Sequence, residues 1–133
     1  MIKANELRIG NLVNYEQTTH LITCVNIDYT ISIWVDKKNQ EHLYTHQNNE
    51  LKPIPLTEEW LLKFGFGEEL KDEWKILVNG CWSFFICYYE NQYNHWVGCG
   101  AEYCHGKEIK YVHQLQNLYF ALTNEELKIK EYE

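Results

Sequence analysis

The stretch Leu51–Gly67, LKPIPLTEEWLLKFGFG, constrains the fold more than any other, because it holds both prolines and the best-marked helix start. Pro53 and Pro55 fix φ and disfavour helix in the residues before them, so Lys52–Leu56 is expected to be extended. Thr57 fits an N-cap, its hydroxyl accepting from a free backbone N–H one turn on. Glu58 and Glu59 sit in the first turn, where the helix dipole favours negative charge. Leu56 and Leu61 occupy the two positions of a hydrophobic staple. Gly65 suits the left-handed residue after the helix, and Phe66 can fold back on Leu61 in a Schellman-type stop. The spacing predicts a helix over Glu58–Phe64 that buries Trp60, Leu61 and Phe64. Two turns do not make a stable helix alone, so this one must pack on the aromatic sequence that follows.

Upstream, short strands are expected after the Ile9-Gly10-Asn11 turn, at Leu21–Val25, at Leu43–Thr45 and at Glu50–Pro53. Ile27, Tyr29, Ile31, Ile33 and Val35 alternate with Asp28, Thr30, Ser32 and Trp34, the period of a half-buried strand. Residues 1–55 therefore read as a small SH3-like β-barrel or a meander. Downstream, Glu68–Glu73 reads as an acidic loop and Trp74–Val78 as a strand. Asn79-Gly80 is a type I′ turn signal and Cys81–Tyr89 the returning strand. Glu90–Asn94 is a polar turn before a shorter strand at His95–Cys99. Tyr111, Leu115, Leu118 and Leu122 share one helical face, with Val112 and Tyr119 beside them; Gln114, Gln116 and Asn117 fall outside it. Asn124 can stop that helix, and Leu127 and Ile129 suggest a last edge strand. The expected fold is α+β. Residues 56–133 would form an antiparallel sheet covered by two helices, sharing a core with the first subdomain.

The chain has 133 residues, 45% of them hydrophobic and 15% aromatic, which suffices for a packed core. Net charge is −7, and the acidity lies late: 5 basic and 6 acidic residues precede Leu56, 7 and 13 follow. Such a chain has no general attraction for nucleic acid or anionic membrane. Met1–Gly10 lacks a signal-peptide pattern, and the longest apolar run, Trp82–Tyr89, is strand-sized. Five cysteines is an odd number, most simply reduced thiols, so the expected location is the cytoplasm.

PLTEEWLLKFGF (Pro55–Phe66), IKYVHQLQNLYFALTNEELKIK (Ile109–Lys130) and LRIGNLVNY (Leu7–Tyr15) resemble a family of small uncharacterised proteins encoded by Bacteroidales gut bacteria, their phages and their mobile elements. The matching stretches cover about a third of the chain in the same order and spacing. The family carries glycine where this chain has Asn124, which weakens the helix stop. The resemblance implies context, namely a small accessory gene of phages and mobile DNA, and no catalytic residues.

Three constellations are candidates for chemistry. The stretch Cys81–Tyr103 holds eight of the 20 aromatics. On a strand, Trp82, Phe84, Ile86 and Tyr88 point one way and Cys81, Phe85, Cys87 and Tyr89 the other. A central strand covered on both sides explains this without function. The alternative is a face that stacks on a base or anchors a partner, using Trp82, Phe84, Tyr88, Tyr93, Trp96 and Tyr103 with Lys107 and Lys110 as the nearest charges and Lys71 and Lys75 on the strand before. His95, Cys99, Cys104 and His105 form H-x3-C-x4-C-H, but a zinc knuckle needs the C-x2-C pair this lacks, so no metal or other cofactor is expected. His42 and His46 are four apart in a strand-and-turn context that does not join them. No cysteine is marked as an activated nucleophile. Glu58-Glu59, Glu68-Glu69, Asp72-Glu73 and Glu125-Glu126 are adjacent solvated acids, not an opposed acid and base.

These observations favour a non-catalytic binding protein over an enzyme. Its sharpest form is a counter-defence factor that sequesters a small nucleotide-like signal or docks on a host protein. The alternatives are a structural or assembly protein of a phage or element and a Cys–His enzyme. An exposed aromatic face would also favour a homodimer.

Overall fold

The computed structural model describes residues 2, 6–26, 28–35, 43–47, 50–70, 73–79, 82–89, 91–99 and 102–130, with the side chains of 69, 70, 73, 75, 77–79, 82, 83, 89, 96–99 and 102–107 set aside. The fold is α+β: the described residues form a four-stranded and a five-stranded antiparallel sheet with two helices. The chain forms two compact units, Met1–Pro55 with Tyr111–Glu126, and Leu56–Lys110 with Leu127–Glu133. It therefore crosses between them three times, first at Pro55. Among the described residues no helix is long and apolar enough to cross a membrane.

The first unit is a meander of β1 (Leu12–Tyr15), β2 (Thr18–Val25), β3 (Thr30–Trp34) and β4 (Leu43–His46), each paired with the next. Among the described residues no ladder joins β4 to β1, so this is a meander and not a closed barrel. The expected strand at Glu50–Pro53 is a single bridge, Lys52 to Asn14, on the free edge of β1. Ile2, Leu7, Val13, Ile22 and Leu51 form the apolar core, with Tyr15 and Val25 packed against it. Glu16 and Gln17, both with positive φ, make the two-residue turn between β1 and β2, where Tyr15 opposes Thr18.

The second helix of the chain, Val112–Thr123, belongs to this first unit and not to the second sheet, as its amphipathic stripe had suggested. The reason is hydrogen bonding. Leu12 N–H donates to Gln116 Oε1 at 2.8 Å, and Gln116 Nε2 donates to the Gly10 carbonyl at 3.0 Å. Gln116 thus supplies the edge of β1 with the two bonds a neighbouring strand would make. Asn11 Nδ2 donates to Asn117 Oδ1 at 2.7 Å, Asn117 Nδ2 to the Glu6 carbonyl at 2.8 Å, and Arg8 is paired with Glu126. The helix accordingly buries His113 and Gln116 with Val112, Leu115 and Tyr119, whereas Leu122 is exposed. Asn124 does end it in the left-handed conformation, φ 61°.

In the second unit the first helix, α1, spans Glu58–Lys63, with Thr57 as N-cap accepting from Trp60 N–H and Phe64 as C-cap. The second helix is α2. Leu56, Leu61 and Phe64 are buried; Trp60 is half-buried under the Lys63 ammonium, 4.6 Å from its ring. Gly65, φ 93°, donates to Leu62 O, and Phe66 N–H to Leu61 O, the pair of bonds of a Schellman stop. The sheet follows as β5 (Gly67–Leu70), β6 (Glu73–Asn79), β7 (Trp82–Tyr89), β8 (Gln92–Cys99) and β9 (Glu102–Glu108), all sequential neighbours. Two expectations change here. The acidic loop at Glu68–Glu73 contains β5, and β9 is a strand without an apolar alternation. Both are edge strands, whose stability comes from backbone pairing to one neighbour and which tolerate charge. Leu127 and Ile129 are buried without forming the expected strand. The turn expected at Asn79-Gly80 involves residues 80 and 81, outside the described ones.

Candidate functional site

The predicted aromatic surface divides on the sheet. Phe84 is 0% exposed and Ile86 equally buried; the Phe66 ring meets Phe84 edge-on with centroids 6.1 Å apart. Phe84 is therefore core, and no ligand can stack on it. At the turn end of the same strand the face opens. Tyr88 is 38% exposed and opposes Tyr93 on β8, their rings 4.8 Å apart. The half-buried Tyr93 ring lies 6.0 Å from that of the buried Trp74. The Ile109 N–H donates to the Tyr93 carbonyl at 2.8 Å; Lys110, the next residue, is exposed, its Nζ 4.0 Å from Glu108. The side chains of Trp82, Trp96, Tyr103 and Lys107 lie outside the described ones, as do Lys71 and the side chain of Lys75.

The His95, Cys99, Cys104 and His105 constellation lies on β8 and β9, where Cys104 opposes Val97 and His105 opposes Trp96. The side chains of Cys99, Cys104 and His105 lie outside the described ones. The His95 ring stacks on Phe84, 6.1 Å away. Among the described residues no three His, Cys, Asp or Glu side chains are grouped to hold a metal. His42 lies outside the described residues.

A second constellation, unforeseen in the sequence, lines the interior of the first unit. Ser32 is 0% exposed and His20 and His46 each 1%. His20 Nδ1 is 2.9 Å and His46 Nε2 2.7 Å from Ser32 Oγ, while His46 Nδ1 is 3.7 Å from Glu50 Oε2. Serine, histidine and acid are in the order of a hydrolytic triad, but the proton directions run the other way. The Thr18 hydroxyl has one proton, and gives it to the Tyr15 carbonyl at 2.6 Å. It must then accept from His20 Nε2 at 2.9 Å, which leaves His20 Nδ1 bare. Ser32 therefore donates to His20, and its oxygen accepts from His46 Nε2–H. His46 holds a proton where a general base needs a lone pair, and the serine oxygen is closed to any substrate.

Burial lowers His20 to about pKa 4, helped by His46, and burial lowers His46 against the opposing carboxylates of Glu50 and Glu16. Tyr15 and Tyr44 wall the cluster, with centroids 4.3 Å and 6.3 Å from the His46 ring. The sequence alternation along β3 had marked Ile31 and Ile33 as the inward face. The structure buries the other face, Thr30 and Ser32, and leaves the isoleucines half-buried. The period was legible and its phase was not, because histidines from β2 and β4 supply the hydrogen bonds that make a polar face the inner one. Four polar residues recurring on interior positions, His20, Thr30, Ser32 and His46, were the available signal.

No protein-family profile, curated protein or solved structure matches this chain.

Proposed function

We propose that the chain is a non-catalytic binding protein whose contact surface is the open end of the second sheet, Tyr88 and Tyr93 with Lys110 beyond them. The observation that carries this reading is the pair of tyrosine rings 4.8 Å apart, one of them 38% exposed, at the end of a face whose middle is core. Paired rings with polar tips suit a flat heterocycle or a partner's aromatic anchor. Lys110 would meet a phosphate in competition with Glu108. The reversed proton order and burial around Ser32 support the non-catalytic part. The resemblance to phage and mobile-element proteins supports the sharper form: a counter-defence factor, acting in the bacterial cytoplasm, that sequesters a small nucleotide-like signal or docks on a host protein. The curled meander, with Lys52 returning to the free edge of β1, we take as SH3-like in path.

Calorimetry against cyclic and linear nucleotides tests this. Binding is expected, and Tyr88→Ala should weaken it by roughly 5–150-fold, the ~1–3 kcal/mol of one stacked base, with the urea midpoint nearly unchanged. No heat and no co-purifying ligand would remove the sequestering form.

A further inference from the structure

The hydrogen bonds through the first unit form a one-way chain. Protons point from His46 to Ser32, from Ser32 to His20, from His20 to Thr18 and from Thr18 to the Tyr15 carbonyl. Every member between the ends both donates and accepts. The chain terminates at His46 Nδ1, which is buried and makes no hydrogen bond. Opposite it, 3.7 Å away, is the carboxylate of Glu50, a side chain 41% exposed. Two lone pairs thus face each other with no proton between them. A buried nitrogen without a partner is costly, and two acceptors in this position repel.

We propose that His46 and Glu50 form a proton-binding site at the end of a buried relay by which the first unit registers acidification. A proton arriving on Nδ1 turns an acceptor facing an acceptor into a donor facing a carboxylate. Nε2–H keeps its bond to Ser32, so nothing in the chain has to turn over. His20 cannot respond in this way. Both its nitrogens are engaged, and a second proton on Nδ1 would leave Ser32 facing two donors with its own hydroxyl proton unplaced. The acid response therefore has two stages: a first proton at His46 that the interior accommodates, and a second at His20 that breaks it.

The surroundings of His46 agree with this order. β1 contributes Tyr15, β2 His20, β3 Ser32, and β4 itself Tyr44. The turn after β1 contributes the Glu16 carboxylate, and the segment after β4 that of Glu50. Tyr15 is held in its neutral form above the usual phenol range, chiefly by Glu16. Burial disfavours a proton on both rings, but among the described residues the charges facing His46 are two carboxylates, which oppose that effect, whereas at His20 the neighbouring His46 adds to it. Glu50 is followed directly by Leu51, fully buried in the apolar core, so drawing its carboxylate inward acts on a segment anchored to that core.

Long-range proton–nitrogen NMR of the histidine rings in the intact chain tests the proposal. At pH 7.5 both His20 and His46 should be Nε2–H tautomers with bare Nδ1. On acidification His46 should gain its Nδ1 proton before His20 changes, with the backbone spectrum of the first unit retained. Glu50→Gln, at a partly exposed position, should move the His46 midpoint to lower pH and leave the neutral tautomers unaltered. An Nδ1–H tautomer of His46 at neutral pH, titration of His20 first, or a His46 midpoint indifferent to Glu50→Gln would each overturn it.

Discussion

Gln116 does for the edge of β1 what a fifth strand would do, using one side chain. Its amide satisfies Leu12 N–H and the Gly10 carbonyl at once. Removing it leaves one buried and one part-buried main-chain group without these bonds, so Gln116→Ala should cost about 2–4 kcal/mol, read as a lowered urea midpoint. Leu122→Ala, at an exposed site, should stay within about 0.5 kcal/mol. The apolar stripe of the sequence ranks these two residues the other way round. An exposed leucine and a buried glutamine cannot be told from their opposites by periodicity, since hydropathy does not register that a glutamine's donor and acceptor match the spacing of a strand edge.

At the scale of elements, α1 was legible almost residue by residue, from the Thr57 cap to the Phe66 bond that closes it, because capping is local chemistry. The edge strands β5 and β9 were not, because pairing to a neighbour supplies what their side chains lack. Of the candidate surface, the strand bearing Phe84 and Tyr88 was legible, but which rings are covered depends on partners distant in sequence. The stop of α1 carries a prediction. Gly65 has φ 93°, and a Cβ there would lie 3.0 Å from the Lys130 side chain. Gly65→Ala should cost roughly 1–2 kcal/mol of backbone strain. Adding Lys130→Ala should not restore the urea midpoint, since the flexible lysine can move and the dihedral cannot.

At the scale of the whole molecule, three buried histidines, His20, His46 and His113, are all pushed below their ordinary value by burial. A histidine held neutral in the folded state contributes stability above its unfolded value of 6.5, and loses it as pH falls towards the folded value, about 4 for His20. The urea midpoint should thus be flat from pH 8 to 7 and fall between pH 6.5 and 4. His20→Gln should flatten part of that fall, at the cost of a lower midpoint throughout. A midpoint rising over that interval would contradict the burial of these rings.

The side-chain amide on β1 also sets a timetable. The bond from Arg8 to Asn117 spans 109 residues, and the glutamine that closes the strand edge lies in the same turn of helix. At a synthesis rate of about 5–20 residues per second, the meander exists for roughly 3–14 s before residue 116 is made. Throughout that interval the Leu12 N–H and the Gly10 carbonyl lack the partners that Gln116 gives them, while the 55 residues of Leu56–Lys110 are being added. A ribosome stalled before α2 would hold a sheet ready to pair with any extended strand nearby. The last helix is thus also the step that covers this part of the β1 edge during translation.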